Sequence, residues 1–99
     1  MKTIILQAQN DLKSGLFMFS CSALWIAMSD FERPQREAVR DSYEKLLIDS
    51  GYFTKKKIPV GDMVAESIEG NDKFDKLSDA KQLEIRLALL DKLAVLYAN

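Results

Sequence analysis

Across residues 83–97, eleven of fifteen residues are apolar, and they fall into two stripes at helical spacing. Leu83, Leu87, Leu90, Ala94 and Tyr97 recur at intervals of 4, 3, 4 and 3, the narrow seam along which one helix packs against another. Ile85, Leu89, Leu93 and Leu96 run beside that seam and widen the apolar arc to more than half the circumference, leaving mainly Glu84, Ala88, Asp91, Lys92 and Val95 for solvent. A helix this apolar needs cover on more than one side, so the rest of the chain must supply it. Ser78 offers a hydroxyl for the N-terminal cap, and the spacing predicts a helix over 78–98.

The first third of the chain offers a second long apolar segment. Ile5, Ala8, Leu12, Leu16, Phe19, Ala23 and Ile26 follow intervals of 3, 4, 4, 3, 4 and 3, and the pattern crosses Gly15 without losing phase. It predicts one helix over 3–28, about 39 Å long at 1.5 Å per residue. Gly15 would then be tolerated inside it at a cost of about 1 kcal/mol, and a break at Gly15 is the alternative. The opposite face of the second half carries Phe17, Cys21, Leu24 and Met28, which makes that half apolar all round. Such a helix lies at the centre of its own core or is covered by another chain, so a homodimer is expected.

Pro34 disfavours helix in the residue before it and suits a first helical position. A helix is therefore predicted over 34–50, with Val39, Tyr43, Leu46, Leu47 and Ser50 inward. Gly51 supplies the left-handed cap, and Tyr52 is placed to fold back on Leu47. Residues 53–60, with three lysines and Pro59, read as an exposed connection. Asp62 then caps a short helix over 62–69, which ends at Gly70. Strand-like alternation is confined to residues 2–8 and 16–22. The expected fold is all-α: one domain over residues 1–99, a small bundle of about four helices, dimeric.

The chemistry is defined by what the sequence lacks. Among the 99 residues there is no histidine, which removes the commonest general base near neutral pH, the usual partner of a nucleophilic Ser or Cys, and the commonest metal ligand. One cysteine and no histidine leave zinc almost nothing to bind. The glycines at 15, 51, 61 and 70 fit neither the dinucleotide fingerprint nor a phosphate-binding loop. Asp62, Glu66, Glu69, Asp72, Asp75 and Asp79 cluster in sequence, yet their spacing is not that of a calcium loop, and they read as solvated surface. No enzyme, cofactor or metal is expected. A lone Cys21 fits a reducing, cytoplasmic setting. The uncharged run over 14–29 is sixteen residues long, short of the roughly 17 to 25 that a spanning helix needs, so no membrane segment is expected.

Two sets of residues remain as candidates for binding. Phe17, Leu24, Trp25, Met28, Arg86, Leu89, Leu93 and Leu96 form the expected partner or dimer interface, with Arg86 in the middle of the last helix's apolar arc and in register with Asp79. Arg33, Arg36, Arg40, Lys55, Lys56 and Lys57 form a basic patch that could meet phosphates, although Glu32, Glu37, Asp41 and Glu44 interleave with it and the net charge is -1. Helix-turn-helix geometry is disfavoured, because about nine residues separate the second and third predicted helices where that motif uses three or four. In size and style the chain resembles the short accessory inhibitors of phages and mobile elements, such as antirepressors and anti-CRISPR proteins, without sharing a family motif. The expected function is a small non-enzymatic regulator or inhibitor that binds itself and an unidentified protein partner. A nucleic-acid-binding regulator using the basic patch is the alternative.

Overall fold

The computed structural model describes residues 1–98. Its elements are α1 (Lys2–Lys13), α2 (Ser20–Ala27), α3 (Arg33–Asp49), β1 (Phe53–Val60), β2 (Met63–Gly70), α4 (Asp72–Asp75) and α5 (Asp79–Leu96). The doubly striped segment is α5, capped by the Ser78 hydroxyl, which accepts a hydrogen bond from the Lys81 amide at 3.2 Å. Both stripes are used within the chain, since α5 packs against α1 on one side and α3 on the other. Glu84, Ala88, Asp91, Lys92 and Val95 face solvent, as the spacing predicts.

The expected all-α bundle is overturned by a two-stranded antiparallel sheet, which makes the fold mixed α/β, and the first predicted helix is corrected as well. The predicted helix over 3–28 is two helices, because Gly15 adopts φ 79° and ends α1 instead of passing through it. The Leu16 amide donates to the Asp11 carbonyl at 3.0 Å and the Gly15 amide to the Leu12 carbonyl at 3.1 Å, the paired bonds of a Schellman terminus. Restarting the helix at Ser20 rotates its inward face. Ala23, Leu24 and Met28 are buried, while Phe19 and Ile26, expected in the core, are exposed.

The second correction concerns residues 53–70, which form an antiparallel hairpin where a connection and a helix over 62–69 were expected. Val60 pairs with Met63 across the two-residue turn Gly61-Asp62. Gly61 has φ 61°, and among the described residues no non-glycine has positive φ, which matches a type II′ turn with glycine first. Pro59 lies opposite Val64, next to the closing pair. Strand alternation makes this a non-hydrogen-bonded position, so the missing N–H takes nothing from the ladder.

The core draws Ile5, Ala8 and Leu12 from α1, Val39, Tyr43 and Leu47 from α3, and Leu89, Leu90 and Leu93 from α5, with Phe53 and Phe74 beneath the hairpin. Polar side chains fasten the elements at their crossings. Gln9 donates to the Leu87 carbonyl at 3.0 Å and to Asp91 Oδ1 at 2.8 Å, tying α1 to α5. The Tyr43 hydroxyl donates to Ser20 Oγ at 2.5 Å, tying α3 to α2. Gly51, at φ 83°, ends α3 as expected; Tyr52 meets the Phe74 ring edge-on.

Asn71 clamps the base of the hairpin. Its side-chain oxygen caps α4 by accepting from the Lys73 and Phe74 amides, its Nδ2 donates to the Gly51 carbonyl at 2.7 Å, and its own amide donates to the Tyr52 carbonyl at 2.9 Å. Asn71→Ala removes the cap and the Gly51 tie together and should lower stability by about 1–2 kcal/mol in urea unfolding. A loss below a few tenths of a kcal/mol would contradict this role.

Candidate protein-interaction surface

Ending α1 at Gly15 leaves residues 14–19 as a connection and turns the outer side of α2 to solvent. Leu16 is 68% exposed and Met18 78%, and Phe19 and Ile26 are about half exposed. No charge falls between Ser14 and Ser29, so this side presents an uncharged surface rich in apolar residues, with Ser22 among them. Contiguous exposed apolar patches of a few hundred Å² on a soluble chain mark interaction sites more often than accident.

The patch has a built floor. Phe17, Cys21, Ser22, Trp25, Ile26 and Arg40 line an open groove of about 560 Å³. The Arg36 guanidinium sits 4.0 Å from the centre of the Trp25 ring and that of Arg40 5.2 Å, within cation–π range. Arg36 also donates to the Trp25 carbonyl at 2.6 Å, which locks the C-terminal part of α2 to α3. One end of the groove meets a smaller charged notch of about 220 Å³ lined by Arg40, Asp41, Glu44, Lys55, Glu66 and Ile68. A third cleft, about 190 Å³, is lined by Phe19, Cys21 and Ser22, by Glu44 of α3, and by Glu66, Ser67 and Ile68 of β2.

Cys21 lies between these clefts. Burial, reinforced by the Glu44 carboxylate, pushes its thiol from 9.0 up to about 12. A thiol held protonated is a poor nucleophile at neutral pH. Burial raises the Tyr43 phenol as well.

The structure divides the expected interface. Leu24, Met28, Leu89 and Leu93 lie in the chain's own core, at 4% exposure or less, where no partner reaches them. Phe17 and Trp25 line the groove, and Leu96 is exposed near the end of α5. Arg86 does not pair with Asp79. Its guanidinium lies 4.9 Å from the Phe74 ring centre and 5.9 Å from that of Phe19, and burial lowers its pKa.

The basic set is not one patch. Arg36 and Arg40 meet at Trp25, and Lys55 comes to the same notch as Arg40. Arg33 pairs with Glu37 at 2.9 Å and Arg40 with Glu44 at 3.7 Å. Lys55 pairs with Glu66 at 2.8 Å, and the Glu66 carboxyl is held below its ordinary pKa by that hydrogen bond. Lys56 pairs with Glu69 at 3.3 Å. Lys57 lies on the same strand opposite Glu66. Glu66 and Glu69 fall on opposite faces of β2, so the run of carboxylates in sequence is not a cluster in space.

Sequence reasoning missed Leu16, Met18, Phe19 and Ile26 as surface, and the hairpin altogether. The available signals were Lys13-Ser14-Gly15, a basic last turn followed by glycine at the cap position, and Gly61-Asp62 between two β-rich runs. No known protein family, curated protein or solved structure matches the chain.

Two outcomes follow. Leu93→Glu should abolish folding, read as loss of the cooperative far-UV CD transition; a folded monomer would refute the core placement. Above pH 9 the unfolded chain ionises Cys21 while the folded chain keeps the proton, so the folded state binds more protons and stability falls as pH rises. The slope from this group, at most about 1.4 kcal/mol per pH unit, should persist toward pH 12. Cys21→Ser should flatten it between pH 9 and 10 in chemical denaturation; an unchanged slope would contradict the assignment.

Proposed function

We propose that this chain is a small, non-enzymatic protein-binding module, a regulator or inhibitor acting in the cytoplasm, and that its partner docks on the apolar surface of the 14–19 connection and α2. The observation that carries the reading is the exposed, uncharged set Leu16, Met18 and Ile26 on the same segment as a groove lined by Phe17, Trp25 and Ile26. Interface centres are depleted in charge and enriched in aromatic residues, methionine and arginine, and this surface has that composition. Trp25, pinned by two guanidiniums, offers a rigid anchor that needs little ordering on binding. The complementary partner is an apolar segment with a polar or acidic group at the Arg40 rim.

The nucleic-acid alternative draws less support. Arg33, Arg40, Lys55 and Lys56 each have a carboxylate within 4.0 Å, which competes with phosphate for the same donors. Among the described residues no helix is long and apolar enough to cross a membrane.

The test is photo-crosslinking in the native cell with a benzophenone side chain at Met18 or Ile26, and at Glu84 or Lys92 on the solvent side of α5 as controls. The reading expects one discrete heterologous adduct from Met18 and Ile26 and none from the controls. Met18→Asp made in the Ile26 probe chain should abolish the adduct while changing unfolding free energy by no more than about 0.5 kcal/mol. Equal labelling from all four positions, or an adduct that survives Met18→Asp, would overturn it.

A further inference from the structure

The hairpin has two edges, and only one is blocked. Counting from the closing pair Val60–Met63, the hydrogen-bonded pairs are Ile58–Ala65, Lys56–Ser67 and Thr54–Glu69. The outward backbone groups then belong to Lys55, Lys57 and Pro59 on β1 and to Val64, Glu66 and Ile68 on β2. The β1 edge carries lysines and a proline without an N–H. Those are the devices that deter strand addition. The β2 edge carries no lysine or proline, and among the described residues the amides of Val64, Glu66 and Ile68 have no partner. Glu66, Ser67 and Ile68 border a cleft that Phe19, Cys21, Ser22 and Glu44 also line, and Val64 and Glu66 are exposed.

The hairpin is also incomplete as a folded element. Phe53 is its only fully buried residue, while Val60, Met63 and Val64 at the tip are 59%, 75% and 64% exposed. A two-stranded ribbon is marginal by itself, and more strands or a packed face stabilise it.

We propose that a second copy of this chain completes the sheet, β2 against β2 in antiparallel register about a two-fold axis at Ser67. Only even-numbered residues of β2 turn their backbone groups outward, so the axis falls on a residue, and the ones central to the strand are Ala65, Glu66 and Ser67. An axis at Glu66 sets two carboxylates directly opposite, which is destabilising. An axis at Ala65 pairs residues 62–68 only and reaches into the turn. The Ser67 axis pairs residues 63–71, sets Glu66 opposite the partner's Ile68, and sets Ala65 opposite the partner's Glu69, with no charge facing a charge. It also carries each apolar tip, Met63 and Val64, to the partner's hairpin base, where the exposed Phe19 borders the cleft. The resulting order β1-β2-β2-β1 presents only blocked β1 edges outside, so assembly stops at two copies.

Ser67 would then lie opposite itself at a non-hydrogen-bonded position, with Cα atoms about 4.5 Å apart, close enough for a disulfide. In a Cys21→Ser background, Ser67→Cys should crosslink fully under mild oxidation, whereas Ala65→Cys, displaced by four residues from its own symmetry mate, should not. Sedimentation equilibrium of the unmodified chain should give twice 11.2 kDa at micromolar concentration. Val64→Pro, which removes an outward N–H, and Val64→Lys, which copies the protection on β1, should both give the monomer mass with native far-UV CD. If Val64→Pro disturbs folding, Val64→Lys decides. A monomeric unmodified chain, a dimer that survives Val64→Lys, or crosslinking through Ala65 instead of Ser67 would overturn the proposal. Each of these readouts is independent of adduct formation at Met18 and Ile26.

Discussion

Gly15 holds φ at 79°, and the two hydrogen bonds that close α1 depend on that conformation. A side chain there is disfavoured by about 1–2 kcal/mol in the left-handed region, so glycine makes the turn available. Once α1 stops, the chain needs only residues 14–19 to redirect itself, and α2 begins with a new rotational phase. That phase decides which apolar residues are buried. Ala23, Leu24 and Met28 enter the core, Ser20 meets Tyr43, and Trp25 turns toward α3, where Arg36 and Arg40 stack on it. The residues left outside, Leu16, Met18, Phe19 and Ile26, are the surface on which the functional reading rests.

The C-terminal half is governed by a different constraint, the cover that α5 requires. Two adjacent stripes on one helix bury fully only between two neighbours, and α1 and α3 are the helices long enough to serve. Gln9 and Ser42 mark those contacts, the first reaching Asp91 and the Leu87 carbonyl, the second the Tyr97 hydroxyl at 3.0 Å. Apart from Leu96 near its end, the stripes of α5 are covered within the chain, so they give little reason to invoke a partner. Larger exposed apolar groups gather on the 14–19 connection and α2 and at the tip of the hairpin.

Periodicity over several turns was legible. Helix α3, helix α5, the Ser78 cap and the Gly51 terminus all follow from spacing and cap chemistry, because a long amphipathic pattern admits one buried face. Short-range chemistry was obscured where two signals competed. Across Gly15 the apolar spacing stayed in helical phase by coincidence and masked the cap residue. Along residues 53–60 three lysines and a proline suppressed the strand reading, although on a two-stranded ribbon both are compatible with an outer edge. Arg86 was legible as an oddity in an apolar arc, but its neighbours, Phe19 and Phe74, lie far from it in sequence and emerged only from the fold.

Which face of residues 18–28 meets solvent decides where the binding surface lies, and methionine oxidation reads that face directly. Dilute folded protein is treated with peroxide and each methionine sulfoxide is followed by mass spectrometry. Met18, 78% exposed, should oxidise at close to the rate seen in the unfolded chain, and Met28, fully buried, should be protected until the protein unfolds. Comparable rates at Met18 and Met28 would contradict the break at Gly15, the rotation of α2 and the binding surface that follows from them.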